Sequence, residues 1–253
     1  MSSQMDAVVS KDLVKVYDKG IRALDCVSLG IRRGEVFTLL GPNGAGKTTF
    51  LRILCTQLMP TSGDAWVLGH DVVSEPEKVR LQIAMVPQDA IAYGNYSPYD
   101  YAYHLSRLRG MPRETARMRA LEALEEVAMT EIMDRPSQSL SGGEKRRGLI
   151  ASALASDAEV LMLDEPSSGL DAIGRRKVWA ALRTKASMGR TILLTTHMME
   201  EAEMVSDRLA IIDKGQVIAV GTSEEIKGRM HLKYRVTAPS NAIDPSRYPE
   251  MAK

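Results

Sequence analysis

The chain is poor in several things, and each shortage excludes something. It holds two cysteines, Cys26 and Cys55, with neither CxxC nor metal-ligand spacing. That excludes a thiol metal site. Both lie in apolar context and are expected as small buried hydrophobes in a reducing compartment. Net charge is nearly absent, with 33 Lys and Arg against 32 Asp and Glu. No global field pulls the protein toward nucleic acid or acidic lipid. Long apolar runs are missing too. The longest are short strands such as residues 36–40, far below the roughly 20 residues of a membrane span. Any membrane role must therefore come through a partner. The opening residues, MSSQMDAVVSKDLVKVYD, carry no apolar stretch of the secretory kind, so no signal peptide is expected there. No internal repeat or low-complexity tract is present.

What remains is ordinary globular protein. A chain of 253 residues suits one α/β domain, with or without a subdomain, and can bury a full core. Residues 7–16, 23–31 and 35–40 read as strands, 46–56 as a helix, and 63–68 and 83–86 as short strands. From 97 to 139 the pattern turns helical, with apolar residues at helical spacing between Arg and Glu. Strand and helix alternate again at 159–164, 171–187, 191–195 and 198–206. Asp213-Lys214-Gly215-Gln216 between apolar runs is a hairpin signal. The expected fold is α/β. Its nucleotide-binding core spans 1–230, with an N-terminal antiparallel β subdomain and a helical insertion at about 89–155. Residues 231–253 are expected as a tail, a strand and then a linker.

Three motifs carry chemistry. The first is Gly41-Pro42-Asn43-Gly44-Ala45-Gly46-Lys47-Thr48, which fits G-x-x-x-x-G-K-[ST] and lies between an apolar strand and a helix. Glycines let the backbone curl so that successive N–H groups aim at phosphate oxygens. The helix N-terminus adds a favourable dipole for the anion. Lys47 supplies a mobile cation for the β- and γ-phosphates, and Thr49 a further hydrogen bond. The Thr48 hydroxyl is expected to ligate Mg²⁺. The second motif is Asp164-Glu165, after the continuous apolar run 160–163. Carboxylates at the C-terminal end of a parallel strand lie where such sheets bind ligands. Asp164 is assigned to Mg²⁺ and Glu165 to polarising the water that attacks the γ-phosphate. Strand neighbours point in different directions, which separates the two tasks. The third motif is Leu140-Ser141-Gly142-Gly143-Glu144. Alone it marks only a turn or a helix start.

Together, and in this order, the motifs resemble the nucleotide-binding subunit of an ATP-binding-cassette (ABC) transporter. The resemblance covers residues 7 to about 228 and implies a P-loop NTPase core of the ABC type. It adds Tyr17 as the aromatic that stacks on adenine. Gln88, in MVPQD, becomes the glutamine that meets Mg²⁺ and the attacking water. Asp171 closes SSGLD, the D-loop. His197, after TILLTT, becomes the switch histidine at the γ-phosphate. The resemblance also reinterprets the pentapeptide. Ser141, Gly142 and Gly143 form a second anion site that closes over ATP held by a facing subunit. Two cassettes, expected to be copies of one chain, then sandwich two ATP molecules head to tail.

The implied activity is ATP hydrolysis coupled to solute transport by a separate membrane permease. The protein would be cytoplasmic, held at the inner face of the cell membrane through that permease. LRILCTQLMPTSGDAWVLGHDVV and LSGGEKRRGLIASAL are similar to the ATPase subunits of multidrug and antibiotic exporters with ABC-2-type permeases. A soluble ABC ATPase of an assembly or repair complex is the alternative. Five of the eight tyrosines fall within residues 93–103, either lining a groove for the permease or packing the insertion. The basic clusters Arg146-Arg147 and Arg175-Arg176-Lys177, and the arginines at 107, 109, 113, 117 and 119, are expected on solvated helix faces. Acidic residues are interleaved with them, so nucleic acid is not expected as a partner.

Overall fold

The computed structural model describes residues 6–90, 92 and 94–229. Its first strands, β1 (Asp6–Val16) and β2 (Arg22–Arg32), pair antiparallel. The buried strand β3 (Val36–Leu40) then runs through the phosphate loop into α1 (Lys47–Leu54). β4 (Ser62–Val67) returns to pair with β1, and the short β5 (His70–Asp71) extends that sheet. This is the expected antiparallel subdomain, with strand order β2-β1-β4-β5.

The second sheet is the six-stranded core. α2 (Pro76–Gln82) leads into β6 (Ile83–Val86). Three helices follow: α3 (Pro98–Leu108), α4 (Arg113–Glu126) and α5 (Gly142–Ala155). Gly110, at φ 90°, ends the first of these, and Pro112 caps the second. β7 (Val160–Asp164), α6 (Ala172–Ser187), β8 (Thr191–Thr196) and α7 (Met199–Val205) come next. β9 (Arg208–Asp213), β10 (Gln216–Gly221) and α8 (Ser223–Arg229) complete the described chain. The sheet order is β10-β9-β3-β8-β7-β6. Every neighbouring pair is parallel except β9–β10.

Burial on both faces explains the apolar runs of β3, β7 and β8. Val160, Met162, Phe37 and Leu39 join a core shared with α1 and the antiparallel sheet. Leu161 and Leu163 face the other way, onto Ile150, Leu154, Val178 and Leu182 of α5 and α6. α5 is thus a core helix of the main sheet as well as part of the helical segment. That sharing fixes the position of its N-terminus relative to β7.

Most expected elements form. Lys214 and Gly215 both have positive φ, 47° and 79°, the type I′ geometry that joins β9 to β10. β5, α2 and α8 were not anticipated; α2 buries only Val79 and has almost no apolar face. Cys26 is a correction. It is exposed, with φ 54°, where the β1–β2 register shifts. A left-handed kink turned it outward against its apolar neighbourhood. Cys55 is buried as expected, and burial, with the charge of Asp164 adding, pushes its thiol up to about 12. The expected strand and linker at 231–253 lie outside the described residues.

Candidate functional site

The site is built where the parallel strands end. Gly46 N-caps α1 at φ 105°, and a Cβ there would lie 2.3 Å from the carbonyl oxygen of Ala23. Only glycine fits that turn. No side chain caps α1, so the helix leaves its first N–H groups without internal partners. They border a cavity of about 380 Å³, with Tyr17 and Ile21 at one end and Gln88 and Glu165 at the other.

Lys47 is buried. Its Nζ donates to the carbonyls of Gly41 (2.7 Å) and Pro42 (3.0 Å) and stands 3.7 Å from Glu165 Oε1. Thr48 Oγ1 donates to Asp164 Oδ2 at 2.7 Å. Thr195 donates its hydroxyl to the other oxygen of Asp164 and accepts the Glu165 amide at 3.0 Å. His197 Nδ1 lies 3.2 Å from Glu165 Oε2. The two carboxylates therefore face different partners, as expected. The local route differs from simple alternation: β7 stops at Asp164, and Glu165 takes a left-handed φ of 48°. Such a backbone costs a non-glycine residue on the order of 1 kcal/mol or more. The bond to Thr195 is one of the contacts that hold it.

Tyr17 is partly exposed, with its hydroxyl 3.2 Å from Thr49 Oγ1 and Lys15 Nζ over its ring. Its hydroxyl is thereby tied to the start of α1. Thr48 and Asp164 offer hard oxygen donors side by side, the donor chemistry that suits Mg²⁺.

Ser141, Gly142, Gly143 and Asp171 do not line this cavity. Asp171 N-caps α6, accepting from the Gly174 amide at 2.7 Å. Ser141 N-caps α5 in a capping box. Its hydroxyl accepts from the Glu144 amide (3.3 Å), and Glu144 Oε2 accepts from the Ser141 amide (2.7 Å). The Ser141 amide first, and the Ser141 side chain after it, hold the Glu144 carboxyl below its usual 4.5. A Cβ on Gly143 would lie 2.9 Å from the Gly169 carbonyl, so α5 and the D-loop can touch only because that residue is glycine. A second cavity, of about 360 Å³, joins Gly142 to Gln88, Lys145, Ser168 and Gly169. Gln88 borders both cavities.

Three functional candidates escaped the sequence reading. Arg146, expected on a solvated face, is buried, and its guanidinium donates to backbone carbonyls beside Gln88 and Asp164. It stands at i, i+4, i+8 with the buried Ile150 and Leu154, so helical spacing could have found it; its charge argued the other way. Glu201 is buried in α7 and accepts from Ser167 (2.6 and 2.7 Å) and Thr196 (2.7 Å), with Arg175 at 3.6 Å. It ties the D-loop to the strand end before His197. Arg175 is therefore another correction: it is half-buried over Trp179 rather than free on a solvated face. Arg109 also leaves the solvated set, reaching the carbonyls of Leu81 (2.5 Å) and Ile83 (2.9 Å).

The tyrosine cluster divides. Tyr99 and Tyr103 stack with ring centroids 5.8 Å apart and border a cavity of about 440 Å³ with Arg113, Glu114 and Asp134. Tyr96 is half exposed, and Tyr93 lies outside the described residues.

Comparison with known proteins agrees with the geometry. The ABC transporter family model matches residues 24–168. The chain is 41% identical over 224 residues to the daunorubicin/doxorubicin resistance ATP-binding protein DrrA of Streptomyces peucetius, covering 88% of this chain and 68% of that protein. It is 40% identical over 203 residues to the Nod factor export ATP-binding protein I of Ralstonia nicotianae, covering 80% and 63%. Among solved structures, an ATP-binding subunit of an ABC transporter superposes with a TM-score of 0.82 at 26% identity, covering 90% and 95%. A dimeric ATP-binding cassette in a post-hydrolysis state with ADP and phosphate gives 0.78 at 27% identity, covering 85% and 98%. Among the described residues no helix is long and apolar enough to cross a membrane. With the phosphate loop and Glu165 of the acidic strand end meeting in one cavity, and with the family model and these relatives in agreement, the chain belongs to the ABC transporter family, as an ATP-binding and ATP-hydrolysing subunit.

Proposed function

We propose that residues 1–230 form one Mg²⁺-dependent ATPase unit, with the helical segment 89–155 as its arm, that works in pairs to drive export. The observation that carries this reading is that Lys47, Thr48 and Glu165 line one cavity and are joined there to the flanking His197 and Asp164, while Ser141, Gly142 and Gly143 are set apart from it. Adenine stacks on Tyr17, and the amides of Asn43, Gly44 and Gly46 onward cradle the phosphates, while those of Gly41 and Ala45 hold the loop itself, donating to Thr196 and Pro42. Pro42 shapes the loop. Lys47 exchanges its loop carbonyls for phosphate oxygens, a stronger charge-assisted pairing. Thr48, Asp164 and Gln88 would hold Mg²⁺, which neutralises charge on the β- and γ-phosphates. Glu165 accepts the proton of the attacking water. His197, already 3.2 Å from Glu165, orients that carboxylate and donates to the γ-phosphate. Asp171 positions the D-loop at the interface between cassettes.

The partner cassette is a second copy of this chain. It supplies Ser141, Gly142 and Gly143 to the γ-phosphate across a head-to-tail interface. The membrane partner is an ABC-2-type permease that places the protein on the inner face of the cell membrane. The names of the resistance and export relatives support export of an organic solute. Part of the surface around Tyr96 receives the permease. Co-expression with the candidate permease tests the reading: the chain should leave the membrane with it in detergent, and Tyr96→Ala should weaken that recovery. A chain that never fractionates with an integral membrane protein contradicts the transport role.

A further inference from the structure

We propose that Arg146 is a positioning residue that couples the two ATP sites of the dimer, acting through the backbone beneath the catalytic groups. The inference rests on the reading of Ser141, Gly142 and Gly143 as the half-site for the partner's ATP. Arg146 lies five positions after Ser141, on the same rigid helix, α5. Its guanidinium is buried and reaches two separate segments. Nη1 donates to the carbonyls of Pro87 (2.6 Å) and Gln88 (3.4 Å). Nη2 donates to the carbonyls of Asp164 and, at 3.2 Å, Glu165. One planar fork thus holds the peptide units of Gln88 and of both acidic residues. A lysine could not span both segments in that geometry.

The arrangement is expensive for a merely structural contact. Nε has no hydrogen-bond partner, and among the described residues the guanidinium forms no ion pair. Burial pulls the arginine below its ordinary value, while Asp164, Glu165 and Asp89 oppose that shift. An apolar side chain like those of Ile150 and Leu154, on the same buried face, would fill the space without desolvating a cation. What the cation adds is a link. Any displacement of α5 by an ATP held in the partner moves the carbonyls under Gln88, Asp164 and Glu165. The state of one site thereby sets the catalytic geometry of the other. No side chain of Arg146 need touch nucleotide.

The test uses the full chain with Arg146→Met and Arg146→Lys, measuring steady-state hydrolysis against ATP concentration and equilibrium binding of a fluorescent ATP analogue. Loss of charge-assisted bonds should lower turnover about tenfold or more in Arg146→Met, with nucleotide Kd within about twofold of wild type. Arg146→Lys should fall between the two. In both, the Hill coefficient for ATP should drop toward unity, a change that a loss of general stability would not produce. Unchanged turnover and Hill coefficient, or affinity falling in step with turnover, would overturn the proposal.

If Arg146→Met does not fold, Arg146→Lys and hydrogen exchange on the Glu165→Gln chain decide. Amides of residues 87–90 and 142–147 should gain protection at one shared ATP midpoint; separate midpoints contradict the link. Size-exclusion chromatography separates the two layers of the reading. If ATP gives no dimer of the Glu165→Gln chain, the half-site reading fails and the coupling fails with it. If that dimer forms and Arg146→Lys remains fully cooperative, the coupling alone is wrong.

Discussion

Two helix N-termini in this protein are built with glycine, and they are finished in opposite ways. α1 starts at Lys47 after Gly46 and has no side-chain cap. α5 starts at Gly142 after Ser141 and is closed by a reciprocal capping box. Both ends carry the same partial positive charge. The bare end faces a cavity lined by buried Lys47 and Glu165. The capped end lies outside that cavity, on the second one with Gln88 and Lys145. A bare helix end inside a walled cavity can hold an anion by itself. A capped, exposed one is stable without an anion and gains a ligand only when another surface brings one. The difference teaches why one is a binding site and the other a half-site.

Substitutions at the two ends should separate accordingly. The largest effect is expected at α1. Lys47→Ala removes the buried cation of that cavity and should weaken ATP binding by about 10- to 100-fold, read by equilibrium titration. An unaltered Kd would erase the contrast between the ends. Next comes α5. Gly143→Ala, which brings a Cβ to 2.9 Å from the Gly169 carbonyl, should cut turnover about tenfold or more while leaving the ATP Kd of the isolated chain within about twofold. Equal loss of binding at both ends would contradict the division.

The smallest effect sharpens the comparison at the cap. Glu144→Ala should destabilise the fold by about 1 kcal/mol in urea titrations at neutral pH, the usual cost of a lost cap. The sign of its pH dependence follows from the depressed carboxyl. The ionic part of the cap is fully present above 4.5 and is lost as pH falls through the lowered folded-state value. The stability gap between wild type and Glu144→Gln should therefore shrink in acid. A gap that widens there would show that the carboxylate is not the capping group.

Much of this was legible in the sequence because local physics fixed it. The octet from Gly41 to Thr48 needs glycine at φ 105°, and a glycine stood there. β7 reads as one apolar run because both its faces are buried. The hairpin at Lys214-Gly215 needs two left-handed residues and announces itself. What stayed hidden depends on tertiary partners. Arg146 and Glu201 look like surface charges until the carbonyls and hydroxyls that pay their desolvation are in place. Cys26 sits among apolar residues, yet a register shift in β2 turns it outward. The separation of α5 from its own chain's cavity was expected only through the family resemblance, since no single window of sequence contains it.

Mixing two inactive chains tests the central claim most directly. One carries Lys47→Ala and the other Ser141→Arg. In a head-to-tail dimer the mixed pair rebuilds one intact site, from the phosphate loop of the second chain and the α5 end of the first. Random pairing makes half the dimers mixed, so hydrolysis should recover to at most about a quarter of wild type. If α5 served its own chain's ATP, every site in the mixture would still carry a lesion, and no activity above that of the separate variants would return.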